Sequence, residues 1–201
     1  MVEMTKITKS FKKKQEIIKN YNLTSHFYDQ RYSQIQTEKF EILLNNLELN
    51  QKKILDAGCG TGLLLEFINS LKQNSTVNYH YIGMDITLNM LKEFQSKPLT
   101  KKTQWKVNLI LADIESLPFR ENIFDIIFSI TSFQNLPNLT KGIIETLRVG
   151  QDKGDFRFSI LKKKLKIVQL NSLLKSLFTN LKLMQEEFLE DIIFIGKILK
   201  V

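Results

Sequence analysis

Residues Ile54 to Gly62 read ILDAGCGTG. An apolar pair runs into an acid, and three glycines then alternate with single residues. Glycines this dense weaken the interior of any strand or helix. A chain keeps them where the backbone must bend sharply or where something must approach it closely. The run before them, KKILDAG, is short, apolar and ended by Gly58, so it reads as a buried strand. GLLLEFINSLK follows at helical spacing.

The same alternation continues outward from this loop. VNYHYIGMD, WKVNLILAD, IFDIIFSI and DFRFSIL read as strands; TLNMLKEFQ, stopping before Pro98, LTKGIIETLRV and KLKIVQLNSLLKSL read as helices. LKLMQEEFL and DIIFIGKIL close the chain as two strands with no helix between them. Strand alternating with helix implies an α/β fold: a doubly wound, mostly parallel, seven-stranded sheet in three α/β/α layers. The final pair implies an antiparallel edge. Upstream, FKKKQEIIKNYN and TEKFEILLNNLEL read as two N-terminal helices joined by the aromatic, irregular segment HFYDQRYSQ. The expected division is residues 1–50 as a helical extension and 51–201 as the main domain.

In such a sheet, ligands bind beyond the carboxyl ends of the strands, where strand order reverses. Gly58 and Gly60 can take backbone angles closed to other residues, and Gly62 lets the following helix pack closely. The pattern departs from the dinucleotide fingerprint, because Leu63 stands where its last glycine would be. No Lys-Ser or Lys-Thr follows the loop, which argues against a phosphate-binding P-loop. Asp56 would repel a pyrophosphate. It suits a nucleoside ligand with an ammonium group and no phosphate, a description that S-adenosylmethionine meets.

With these residues in place, the chain resembles the class I (Rossmann-like) S-adenosylmethionine-dependent methyltransferases, in the methyltransferase 11-like branch. The resemblance is clear over roughly residues 50–161. ILDAGCGTG looks like the family's first motif, which implies that Asp56, Gly58, Gly60 and Gly62 hold the methionine end of the cofactor. YIGMDIT looks like the second, which implies that Asp85, beside Ile86, takes both ribose hydroxyls. A carboxylate accepting two hydroxyls makes charge-assisted bonds. LADIESLPF resembles the third, with Asp113 at the adenine amino group and the Ile114 backbone near the ring. FDIIFSITSFQNLPN resembles the fourth and implies that Ser129 and Ile130 lie beside the methyl group and the acceptor. GQDKG, Gly150 to Gly154, departs from the family's usual turn before the fifth strand and keeps only its last glycine.

Methyl transfer from a sulfonium is an in-line displacement, so positioning dominates, and a base serves only an acceptor that must lose a proton. His26, in the aromatic segment that often folds over the cofactor in this family, is the weak candidate for a base. His80, within a strand, reads as packed. Tyr21, Phe27, Tyr28 and Tyr32 either shield the sulfonium or pack the N-terminal helices. SITS replaces the Asn-Pro-Pro-Phe type of motif, which argues against the exocyclic amine of adenine and the amide of glutamine as acceptors. Cys59 sits in the glycine loop, away from the place of a nucleophile on cytosine. Two histidines and one cysteine argue against a metal site.

Composition sets the remaining bounds. The chain has 201 residues, 43% of them hydrophobic, and a formal net charge of +8. No apolar run nears the roughly 20 residues of a transmembrane helix. The polar, lysine-rich start lacks the apolar centre of a secretory signal. A cytoplasmic setting is the expectation, and a lone cysteine agrees with it. The clusters at Lys12–Lys14 and Lys162–Lys166 read either as a patch for RNA or an anionic surface, or as two solvated helix faces. Three functions stay open: methylation of a small-molecule acceptor, methylation of RNA or protein with lysines on phosphates, and a non-catalytic partner that keeps the fold. With no long insertion to build a substrate cap, only residues 1–50 are available to cover the site.

Overall fold

The computed structural model describes residues 2–71, 78–101, 106–164 and 167–200. The main strands are β1 Lys53–Ala57, β2 His80–Asp85, β3 Lys106–Leu111, β4 Phe124–Ile130, β5 Gly150–Leu161, β6 Phe178–Met184 and β7 Asp191–Ile198. The helices are α1 Val2–Leu44, α2 Leu63–Leu71, α3 Leu88–Ser96, α4 Leu139–Val149 and α5 Ile167–Leu177. The strands form one seven-stranded sheet in the order β3-β2-β1-β4-β5-β7-β6. β1 to β5 pair in parallel, and β7 runs antiparallel to both β5 and β6.

Alternation along the strands sends side chains to two cores. On one face Ile54, Tyr81, Ile126 and Phe128 meet Leu64, Leu65 and Ile68 of α2, Phe94 of α3, and Phe40 and Leu43 of α1. On the other, Leu55, Ile127, Phe156 and Phe158 meet Ile143 and Leu147 of α4 and Leu170 and Leu174 of α5. Helices therefore change face between β1 and β4. That is the switch point at which an open α/β sheet leaves a crevice at its carboxyl edge.

Four expectations need correction. The N-terminal segment is a single 43-residue helix instead of two. Its aromatic middle contains neither glycine nor proline, so nothing interrupts the hydrogen-bond ladder. It ends by Asn46, which is in the left-handed region at φ 53°. The expected turn Gly150–Gly154 lies inside β5, where the β4–β5 register breaks between Phe124 and Ile126. The segment is accommodated as a bulged strand start. β6 begins directly after α5 and stops at Met184, so the acidic residues Glu186 and Glu187 fall in the turn toward β7. His80 opens β2 and is half-exposed, with Nε2 2.7 Å from Asn108 Oδ1. Lys72, Val77, Trp105, Leu165 and Lys166, which the sequence reading placed in elements, lie outside the described residues.

Candidate functional site

β1 ends at Ala57, and the chain reverses through Gly58, Gly60 and Gly62, all at positive φ (86°, 54° and 84°). Gly62 makes room for a helix: a Cβ there would lie 2.4 Å from the Phe94 ring of α3. The close approach expected at this glycine is thus to the neighbouring helix. Gly60 is different. Its Cβ would meet nothing nearer than Tyr28, at 4.0 Å, so the loop presents bare backbone to an open space.

That space is a cleft of about 670 Å³ of non-atom volume, partly open to solvent, at the carboxyl ends of the strands. Gly58, Gly60, Asp85, Ile86, Asp113 and Ile114 all line it, as does the Thr131–Ser132 turn after β4. Residues expected from three separate motifs therefore face one volume. Asp85 is held by its neighbours: Oδ2 accepts from Gly60 N–H at 3.0 Å and Oδ1 from Thr87 N–H at 2.8 Å. Burial raises its pKa, and the Thr87 and Gly60 amides oppose that shift. Asp113 accepts from Glu115 N–H through Oδ1 at 2.9 Å and pairs with Lys14 through Oδ2.

Asp56 projects into an adjoining pocket of about 320 Å³, which shares Tyr28, Gly58 and Gly60 with the cleft and is also lined by Gln36, Thr61 and Ile130. Asp56 is 2% exposed and accepts a hydrogen bond from the Tyr81 hydroxyl. Burial pushes its pKa up to about 7, against the opposing effect of Tyr81. Ser129 is fully buried and donates to Ala57 O at 3.0 Å, so it braces β4 against β1 and lines neither pocket.

Helix α1 crosses the mouth of the cleft. Lys14, Ile17, Tyr21 and Tyr28 form one wall. Lys14 pairs with Asp113 and Glu115, Lys13 donates to Leu136 O at 2.6 Å, and Asn135 donates to the Tyr21 hydroxyl at 3.1 Å. Farther along, Asn22 meets Asn89 at 3.1 Å, and Asp29 bonds Thr61 and pairs with Lys97 at 2.6 Å. Burial raises the Tyr21 and Tyr28 pKa values, so both phenols stay protonated. Phe27 is exposed, and Tyr32 packs on Tyr28 with ring centroids 4.7 Å apart. His26 is exposed and lies against Phe27 with ring centroids 4.2 Å apart; neither it nor His80 lines either pocket.

Sequence reasoning missed a buried polar group under the Thr131 turn. Lys39 of α1 (2% exposed) and Asp191 of β7 (0%) form an ion pair at 2.9 Å. Lys39 also donates to Thr131 Oγ1 at 2.9 Å, while Thr131 and Ser159 donate to Asp191 Oδ2 at 2.8 and 2.6 Å. Thr131 sits at φ 55°, uncommon for a β-branched residue. A lysine in an amphipathic helix reads as solvated, so nothing in the sequence marked Lys39. The lysine clusters influence each other electrostatically through one pair. Lys13 has its pKa lowered by burial, raised by Glu115 and lowered again by the charge of Lys164, a residue of the turn after β5.

Comparison with known proteins fits this geometry. A family profile described as "Methyltransferase domain" matches residues 55–158. A malonyl-[acyl-carrier protein] O-methyltransferase of Hamiltonella defensa is 29% identical over 74% of this chain and 53% of its own length. A ubiquinone/menaquinone biosynthesis C-methyltransferase of Rickettsia prowazekii is 27% identical over 73% of this chain and 61% of its own. The chain spans about half the length of the first curated relatives it matches. Magnesium protoporphyrin IX methyltransferase from Synechocystis, solved with S-adenosylmethionine bound, superposes with a TM-score of 0.69 at 16% identity, covering 92% of this chain and 96% of that one. At that identity the likeness concerns the fold.

Proposed function

The chain belongs to the methyltransferase domain family, and from that premise we propose that it moves a methyl group from S-adenosylmethionine to a small-molecule acceptor. The observation that carries this reading is the convergence of Asp85, Asp113 and the bare glycine backbone on one cleft. The residues fit such a ligand. Asp85, oriented by two backbone amides, would accept from the ribose hydroxyls. Asp113 and the Ile114 backbone would take the adenine edge. Asp56, buried without a cationic partner among the described residues, would face the ammonium end.

The bound cofactor would supply a methyl group on a sulfonium, already a good leaving group. The chain's part is then to exclude water and align the acceptor. Tyr21 and Tyr28, as neutral phenols at the wall, can donate hydrogen bonds but cannot take a proton near pH 7. The position of His26 gives no support to a role as base. Residues 1–50 are read as a lid on the domain of residues 51–201, supported by the path of α1 over the cleft. Among the described residues no helix is long and apolar enough to cross a membrane, and a cytoplasmic setting is the reading that goes with this.

A second reading, methylation of RNA, draws on the two lysine clusters, of which Lys164 lowers the Lys13 pKa by its charge. Labelled S-adenosylmethionine incubated with the protein and total extract, then fractionated, separates the readings. Label among small molecules supports the first and label in RNA the second. Absence of both label and calorimetric heat with folded protein would remove the enzymatic reading. For RNA, changing Lys12, Lys13 and Lys14 together to Gln should flatten the salt dependence of binding.

A further inference from the structure

We propose that Gln36 of α1 is a ligand-binding residue whose amide oxygen accepts a hydrogen bond from the α-ammonium group of the ligand's amino-acid tail. The inference rests on the cofactor reading above and assigns a residue that none of the four sequence motifs contains.

Gln36 is 6% exposed, and its Oε1 is buried with no hydrogen-bond partner. Buried polar atoms in folded proteins are almost always paired, so an orphan acceptor calls for a specific explanation. It lines the smaller pocket together with Asp56, Thr61 and the glycine loop. Its place is fixed from both sides. Lys39 and Phe40, three and four residues on and on the same helix face, are buried in the ion pair and the core. Gln36 also lies beside Tyr28, which lines both pockets.

Gln36, with its unpaired oxygen, and the Asp56 carboxylate thus line one small volume. Asp56 has the Tyr81 hydroxyl as a partner, and among the described residues no lysine or arginine pairs with it. A cationic group with several N–H donors complements that pair, and an ammonium offers three. A carboxylate or phosphate held against these two oxygens would be repelled by the Asp56 charge.

The test compares two thioethers that differ only in the tail. S-adenosylhomocysteine carries the α-amino acid, and 5′-methylthioadenosine lacks it. Binding of both is measured by calorimetry to the full chain, with Gln36→Leu and Gln36→Glu beside the parent protein, and thermal unfolding reports folding of each variant. The expected result is that Gln36→Leu binds S-adenosylhomocysteine about 10-fold or more weakly while methylthioadenosine is unaffected. Gln36→Glu, which keeps an acceptor and adds charge, should retain or tighten the homocysteine compound. Equal changes for both ligands with Gln36→Leu, or no change for either, would overturn the inference. So would a loss with Gln36→Glu as large as with Gln36→Leu. If the parent protein binds neither thioether, the cofactor reading itself falls, a result distinct from these.

Discussion

Lys39 Nζ lies 2.9 Å from Asp191 Oδ1, with both side chains buried, and this pair ties the first helix to the last strand beneath the cleft. Removing one partner of such a pair leaves an uncompensated buried charge, which costs about 3–5 kcal/mol. Lys39→Met should therefore lower the urea midpoint sharply. Adding Asp191→Asn should recover part of the loss, since the orphaned charge is gone. Additive losses in the double variant would show that the two side chains do not act as a pair.

Asp85→Ala should weaken S-adenosylmethionine binding by about 1.5–3 kcal/mol, the range for hydrogen bonds to a charged group. Calorimetry reads this directly. Affinity equal to that of the parent protein would mean that Asp85 shapes the loop through Gly60 and Thr87 without touching the ribose.

Asp56 predicts an unusual pH dependence. Its folded pKa, about 7, lies above the ordinary carboxylate value near 4. Between these values the folded state holds more protons than the unfolded chain, so stability falls as pH rises through that window and levels off above it. Urea titrations from pH 4 to 8 should show this decline, and Asp56→Asn should reduce it, leaving the part that the raised pKa of Asp85 contributes. A cation bound beside Asp56 favours its ionised form. Ligand binding near pH 6 should then release protons, read as a dependence of binding heat on the ionisation enthalpy of the buffer.

Lys14 occupies one oxygen of Asp113, the carboxylate expected at the adenine amino group. If ligand entry must break that pair, Lys14→Met tightens binding of the adenosine moiety severalfold, and the parent protein's affinity rises with moderate salt. Weaker binding by Lys14→Met would instead make Lys14 part of the ligand's own wall.

Much of this was legible in the sequence. Strands such as IFDIIFSI carry their burial in dense apolar runs, and the glycine loop announces a bend where bare backbone faces an open cleft. Asp85 was placed by its strand end, one helix and one strand beyond that loop, and Asp113 by the resemblance of LADIESLPF to a family motif; both line the cleft. Three things could not be read. HFYDQRYSQ has no clear apolar period, yet it is helical because the helices on either side extend through it without a breaker. Lys39 and Gln36 look like solvent-facing positions until the neighbouring sheet edge is known. The partner of Lys39, Asp191, lies far along the chain, and such a pairing leaves no local trace. Ser129 was read as facing the acceptor, but strand alternation turns it onto Ala57 O.

The first helix has no glycine or proline from Val2 to Leu44 and, at 1.5 Å per residue, is roughly 65 Å long. Sharp bends in helices need such residues or an inserted bulge, so this rod has no built-in elbow. Phe40 and Leu43 fix its far end in the core. Uncovering the crevice beneath Lys14 therefore takes either a swing of the whole rod about that fixed end or a turn-by-turn unravelling from its N-terminal end. The second route would make amide exchange along residues 7–28 slow down when the crevice is filled.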